Sequence, residues 1–144
     1  GIRVSELAYI TVEAARRGRA DIALKGKLRT ILLPARLCRR LLKFAGKNKI
    51  AFGAIFLTKS GRPLSRTQIW AEMKCLCAKA GVAAEKVFPH NLRHLFARTF
   101  YESCRDVVKL ADILGHSSVE TTRLYLLTTG AEHLRQLERL RLLC

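Results

Sequence analysis

The sequence has only three prolines, no low-complexity run, and no apolar stretch long enough to read as a membrane span. A disordered chain and a transmembrane role are therefore not expected, and no signal-peptide pattern is seen. Cysteine lacks pattern: Cys38, Cys75, Cys77, Cys104 and Cys144 form no CxxC pair and are odd in number. This excludes a disulfide framework and makes a zinc site unexpected, so the five read as reduced thiols of a cytosolic protein. Acidic residues are scarce. Eleven Asp and Glu stand against 27 Lys and Arg, for a net charge of +16. Such a balance favours polyanions, nucleic acid above all, although a ribosomal or generic basic protein would share it. No basic amphipathic segment with bulky aromatics stands out, so a membrane surface is not the expected partner.

What is present fits one domain: 144 residues, 49% of them hydrophobic. The chain starts straight into Gly1-Ile2-Arg3-Val4-Ser5-Glu6-Leu7, which reads as a fragment cut from a longer protein. Residues 4–11 read as a short helix and Gly18 as a turn. Arg19–Leu24 and Arg29–Leu33 read as strands joined by the tight turn Lys25-Gly26-Lys27, with Pro34 ending the second. Helices are predicted over 35–46, from the Ser65/Gln68 capping box to about Lys79, from Pro89 to about Glu102, and over 106–114 up to Gly115. Ser117 with Glu120 suggests a second capping box, opening a helix that carries Tyr125. Residues 131–143 read as a last helix, and Ile55–Leu57 as one further short strand. The predicted class is α+β, mainly helical with a small antiparallel sheet.

Four clusters carry chemistry. In His90-Asn91-Leu92-Arg93-His94, helical spacing puts His90, Arg93 and His94 on one face. Leu92, Leu95 and Phe96 are expected to anchor that helix. The alternatives are a solvated basic face, or a metal held by His90 and His94 at HxxxH spacing, which the intervening Arg93 would oppose. His116, in Leu114-Gly115-His116-Ser117-Ser118, lies at a helix–helix turn whose backbone N–H groups favour a phosphate. Tyr125 follows nine residues later, and a helical tyrosine is ordinarily a packing residue. Near the start, Arg3 and Glu6 stand at i, i+3, which could be a plain surface ion pair of little worth. Lys25 and Lys27 flank a hairpin tip, where exposed lysines are common.

Taken in order, G-x-R-x-x-E-L, the KGK hairpin, H-x-L-R-H, L-G-H-x-S and T-x-x-Y resemble the tyrosine recombinase family of phage integrase type, from Gly1 to about residue 130. The resemblance implies a catalytic domain that attacks a DNA phosphodiester without a metal or other cofactor. It implies that Arg3 and Arg93 clamp the scissile phosphate and that Lys25 acts as general acid, with Lys27 as the alternative. It implies that His90 assists proton transfer from the nucleophile, that His116 hydrogen-bonds the phosphate, and that Tyr125 is the nucleophile. Glu6 resembles the acidic residue that orients the active-site arginine. The partners implied are double-stranded DNA and further copies of the chain, as a homo-tetramer on DNA, in the bacterial cytoplasm. The family's usual N-terminal DNA-binding domain is not matched, nor are the helices that usually precede the Arg3 motif. Leu134, Leu137 and Leu140 on the last helix would pack either in cis or onto a neighbouring protomer. The rivals to site-specific strand exchange are a type IB topoisomerase, a DNA-binding module without activity and a structural RNA-binding protein. The LGHSS turn and the short chain favour the recombinase.

Overall fold

Residues Arg19–Leu24 (β1) and Lys27–Leu32 (β2) pair as an antiparallel hairpin, with Ala20 opposite Ile31 and Ile22 opposite Arg29. The side-chain period of two puts Ala20, Ile22, Ile31 and Leu33 on the buried face, while Leu28, Thr30 and Leu32 point outward. This is a computed structural model, and it describes residues 1–24 and 27–126. Lys25, Gly26 and the expected helix over 131–143 lie outside the described residues.

The chain divides into two compact units, residues 1–94 and the part from 95 onward. In the first, a 3-10 helix over Val4–Tyr9 leads into α1 (Val12–Arg17), and the hairpin follows. The single helix expected over 4–11 is thus a 3-10 turn followed by a separate α-helix. Thr11 makes the break: its hydroxyl accepts the Ala14 N–H at 3.0 Å and starts a new helix. Gly18 closes α1 with φ +73°, a conformation in which a side chain would be strained. Helix α2 (Ala35–Lys47) buries Cys38, Leu41 and Ala45, spaced three and four apart, against the core built from Ile10, Val12, Ile22 and Ile55.

No strand forms at Ile55–Leu57. Isolated bridges join Thr11 to Ala54 and Leu57 to Pro63. Glycines with positive φ at Gly53 and Gly61 bracket the segment, which turns back on itself through Thr58 N–H to Arg62 O at 2.7 Å. Helix α3 (Arg66–Ala80) has the expected capping box, with Ser65 and Gln68 exchanging bonds of 2.9 and 3.2 Å, and it ends at Gly81. Helix α4 (Pro89–Cys104) begins at the expected proline.

The second unit packs Ala97, Leu110 and Leu114 with Phe96, Phe100, Tyr101 and Tyr125. Helix α5 (Val107–Leu114) is capped by the Asp106 carboxylate on the Lys109 N–H at 2.9 Å and ends at Gly115. The cap of α6 (Val119–Arg123) is Ser118, not Ser117, because it is the Ser118 hydroxyl that accepts the Glu120 N–H. Tyr125 lies just past α6, on a 3-10 turn over Leu124–Leu126.

Candidate active site

Arg3 immediately precedes the first helical turn, and Glu6 reaches back to it. One carboxylate oxygen, Oε2, accepts the Arg3 backbone N–H at 2.7 Å. The other, Oε1, accepts from Arg3 Nη1 at 3.0 Å and from Arg29 Nη1 at 2.5 Å. Glu6 is only 1% exposed, so the i, i+3 pair is not the surface ion pair that its spacing alone suggests. Burial pushes the Glu6 carboxyl up. The Arg3 backbone N–H, the Arg29 charge and the two guanidinium bonds outweigh that, and it titrates below the ordinary 4.5. A buried carboxylate held charged by two arginines is a rigid support for both.

Arg29 was not among the residues singled out from sequence. The signal for it was alternation: Ile31 on β2 and Leu33 just past its end are inward, and the same parity puts Arg29 inward. An arginine on the buried face of a strand requires a carboxylate partner, and Glu6 supplies it from 23 residues away.

On the second turn of α4, Arg93 is 4% exposed and donates from Nη1 to the Gly1 carbonyl at 2.5 Å. That bond joins the second arginine to the chain two residues before the first, across 92 positions of sequence. His90 is exposed and His94 half-buried, with their rings edge to face at 4.6 Å. Burial lowers the His94 pKa below 6.5, and the charges of His90 and Arg93 lower it further. Among the described residues, no group of three or more His, Cys, Asp or Glu is placed to hold a metal ion.

Among the described residues, the expected anchoring of α4 by Leu92 and Leu95 is not seen: they are 55% and 62% exposed. At about 100° per residue they lie off the stripe that Arg93 and Ala97 bury at i, i+4. Only Phe96 of the three is partly buried, against Ala97, Leu110 and Leu114.

In the second unit, the turn after Gly115 fixes His116. Its backbone N–H bonds the Ala111 carbonyl at 3.0 Å, closing α5. Its Nδ1 lies 2.7 Å from Oγ1 of the fully buried Thr122 on α6. Thr122 therefore sets the imidazole orientation, and the Tyr125 ring lies 5.4 Å from it, centroid to centroid. Tyr125 is itself half-buried on the Leu110–Leu114 cluster, so His116 and Tyr125 share one small scaffold. Lys25 lies outside the described residues, and the Lys27 backbone pairs opposite Leu24.

Over residues 1–131 the chain matches the sequence profile described as the phage integrase family. It is 43% identical over 86 residues to the tyrosine recombinase XerD of Corynebacterium glutamicum, covering 60% of this chain and 28% of that protein. It is 32% identical over 151 aligned positions to the tyrosine recombinase XerA of Pyrococcus furiosus, covering 99% of this chain and 51% of that protein. The chain thus spans from about a quarter to half the length of these relatives. Its fold is shared with a XerH site-specific recombinase crystallised on difH substrate before cleavage, at TM-score 0.74 and 24% identity, over 92% of this chain and 41% of that one.

Proposed function

Because this chain belongs to the phage integrase family, we propose that it carries out site-specific strand exchange on double-stranded DNA, with Tyr125 as the nucleophile. The Tyr125 oxygen attacks the scissile phosphorus. The bond from phosphorus to the 5′ oxygen breaks, leaving a 3′-phosphotyrosine and a free 5′-hydroxyl. A 5′-hydroxyl from a second strand reverses the step on its new partner, so the phosphodiester is conserved and no nucleotide cofactor is consumed.

Each residue type has a reason. A tyrosine hydroxyl ordinarily titrates near 10, so only about one in 10³ is ionised at neutral pH, a deficit of about 4 kcal/mol. In this reading His90 takes that proton, the role that the family resemblance implies for it. Arg3 and Arg93 meet the non-bridging oxygens, where planar guanidinium groups match the geometry. Arginine at such a transition state is worth roughly 10³–10⁵ in rate. His116 donates a hydrogen bond to the phosphate, and Lys25 protonates the departing 5′ oxygen. Two duplexes have four strands to cut, so four copies of the chain on DNA make the working assembly.

The strongest support is the Arg93–Gly1 bond, which ties the α4 arginine to the segment of Arg3. Nothing in an ordinary solvated basic face requires that. The net charge of +16 suits the phosphate backbone of either partner duplex.

The test is a nicked suicide duplex carrying a candidate recombination junction, incubated with full-length protein and resolved in SDS. A protein–DNA adduct that Tyr125→Phe abolishes is the expected result. DNA binding without an adduct would replace this reading with that of a DNA-binding module. Relaxation of supercoils with no site requirement would point to a topoisomerase.

A further inference from the structure

Arg29 has no role in the steps above, yet it makes the shorter of the two guanidinium bonds to Glu6 Oε1. Its side chain is 14% exposed, against 43% for Arg3. It projects from β2 on the face that buries Ile31 and Leu33, directly across from Ile22. Strand and core therefore fix its position, while Arg3 stands at the edge of the same carboxylate.

Charge decides what this arrangement does. With Glu6 as its sole neighbour, Arg3 would be neutralised one for one, and a phosphate would have to compete with the carboxylate for the guanidinium. Arg29 places a second positive charge on the same oxygen. The three side chains together carry +1, and the carboxylate's hold on Arg3 is shared.

We propose that Arg29 is a positioning residue for the scissile phosphate: it fixes Glu6 and offsets its charge, so that Arg3 meets the phosphate as a net cation. This rests on the reading of Arg3 as a phosphate ligand. Arg29 acts through Glu6 and Arg3 and does not itself contact DNA.

Full-length protein with Arg29→Met, Arg29→Lys, Glu6→Gln and the double change Arg29→Met/Glu6→Gln separates this role from plain structural support. Tyr125 adduct formation is timed on two suicide duplexes. One has an ordinary scissile phosphodiester. The other has a methylphosphonate, in which a methyl group replaces one non-bridging oxygen and the negative charge is gone. Arg29→Met should slow the first reaction roughly 10- to 100-fold, the worth of a lost bond to a charged group. On the neutral methylphosphonate the defect should shrink to a few-fold. Adding Glu6→Gln should restore part of the Arg29→Met rate, because no carboxylate charge then needs offsetting. Arg29→Lys should fall between wild type and Arg29→Met.

A structural role predicts the opposite pattern: equal defects on both duplexes, made worse by Glu6→Gln. That pattern, or an Arg29→Met rate equal to wild type, overturns the proposal. Should Arg29→Met fail to fold, by circular dichroism, Arg29→Lys carries the same two-substrate comparison, and equal defects there overturn it too. A wild-type protein that forms no Tyr125 adduct removes the phosphate reading and this proposal together. An active wild type with an unaffected Arg29→Met removes this proposal alone.

Discussion

Glu6→Gln keeps the shape of the side chain and one carbonyl acceptor but removes the charge that both arginines address. Three bonds end on this carboxylate, at 2.7 Å from the Arg3 N–H, 3.0 Å from Arg3 Nη1 and 2.5 Å from Arg29 Nη1. A hydrogen bond to a charged group contributes about 1.5–3 kcal/mol net. The Arg3 ion pair must be discounted to about 0.5 kcal/mol, since that side chain is 43% exposed and solvent screens it. The Arg29 pair is not discounted in this way, because Arg29 is 14% and Glu6 2% exposed at the side chain. The amide recovers about 1 kcal/mol as a neutral acceptor. The expected loss is about 2.5–5.5 kcal/mol, a range that spans the 3–5 kcal/mol for breaking a fully buried pair. In a domain of this size each kcal/mol lowers Tm by about 2–4 °C.

Urea denaturation of both proteins across pH checks the size and the sign. The folded Glu6 carboxyl titrates below the ordinary 4.5, so the unfolded chain takes up this proton first as pH falls. The stability that Glu6 contributes is fully present above about pH 4.5 and is lost as pH falls through its lower folded value. Glutamine does not titrate. The gap between wild type and Glu6→Gln should therefore be full at pH 7 and narrow only in acid. High salt should leave most of it, because the Arg29 pair is shielded from solvent ions. A gap below about 0.5 kcal/mol at pH 7, or one abolished by salt, would return the pair to the class of surface ion pairs and refute the reasoning.

Two further predictions concern the imidazoles. Thr122→Val removes the 2.7 Å partner of His116 Nδ1 at a fully buried position while conserving volume. It should cost about 1–2 kcal/mol of stability and slow Tyr125 adduct formation roughly tenfold; a wild-type rate would show that this bond does not orient the ring for catalysis. By NMR, His94 should titrate below 6.5, because it is partly buried and then because His90 and Arg93 are near. Stability should accordingly fall as pH drops from about 6.5 through the folded His94 value, where the unfolded chain binds the extra proton. His90→Ala should raise the His94 pKa, and a His94 that titrates at or above 6.5 in the wild type would contradict its burial beside the charges of His90 and Arg93.

What was legible in the sequence was what a few neighbouring residues decide. Strand β1 over Arg19–Leu24, the Ser65/Gln68 box and the left-handed closures at Gly18 and Gly115 depend on contacts within about one turn. Local chemistry was also misread. Thr11 is a good cap residue that starts α1, and Ser118 outcompeted Ser117 one residue away, where side-chain identity alone could not choose. The strand expected at Ile55–Leu57 failed for another reason. A strand exists only with a partner, and flanking glycines at φ +75° and +77° turn this segment back on itself.

The site divides along the same line. His90, Arg93 and His94 were legible together because one helix face carries them, and His116 and Tyr125 because a short turn-and-helix unit does. Glu6–Arg29 and Arg93–Gly1 were not, since their partners stand 23 and 92 positions apart. Arg29 shows where the limit falls. Strand parity already required an arginine on the inward face of Arg29–Leu33, and a buried guanidinium already required a carboxylate. With only 11 acidic residues in the chain, the candidates were few. Arg3–Glu6 spacing had explained Glu6 as a surface pair, and that explanation concealed the vacancy. A charge with one plausible local partner can therefore still be the missing partner of a buried one, and in a chain this basic each carboxylate is better read against every inward-facing cation than against its nearest neighbour alone.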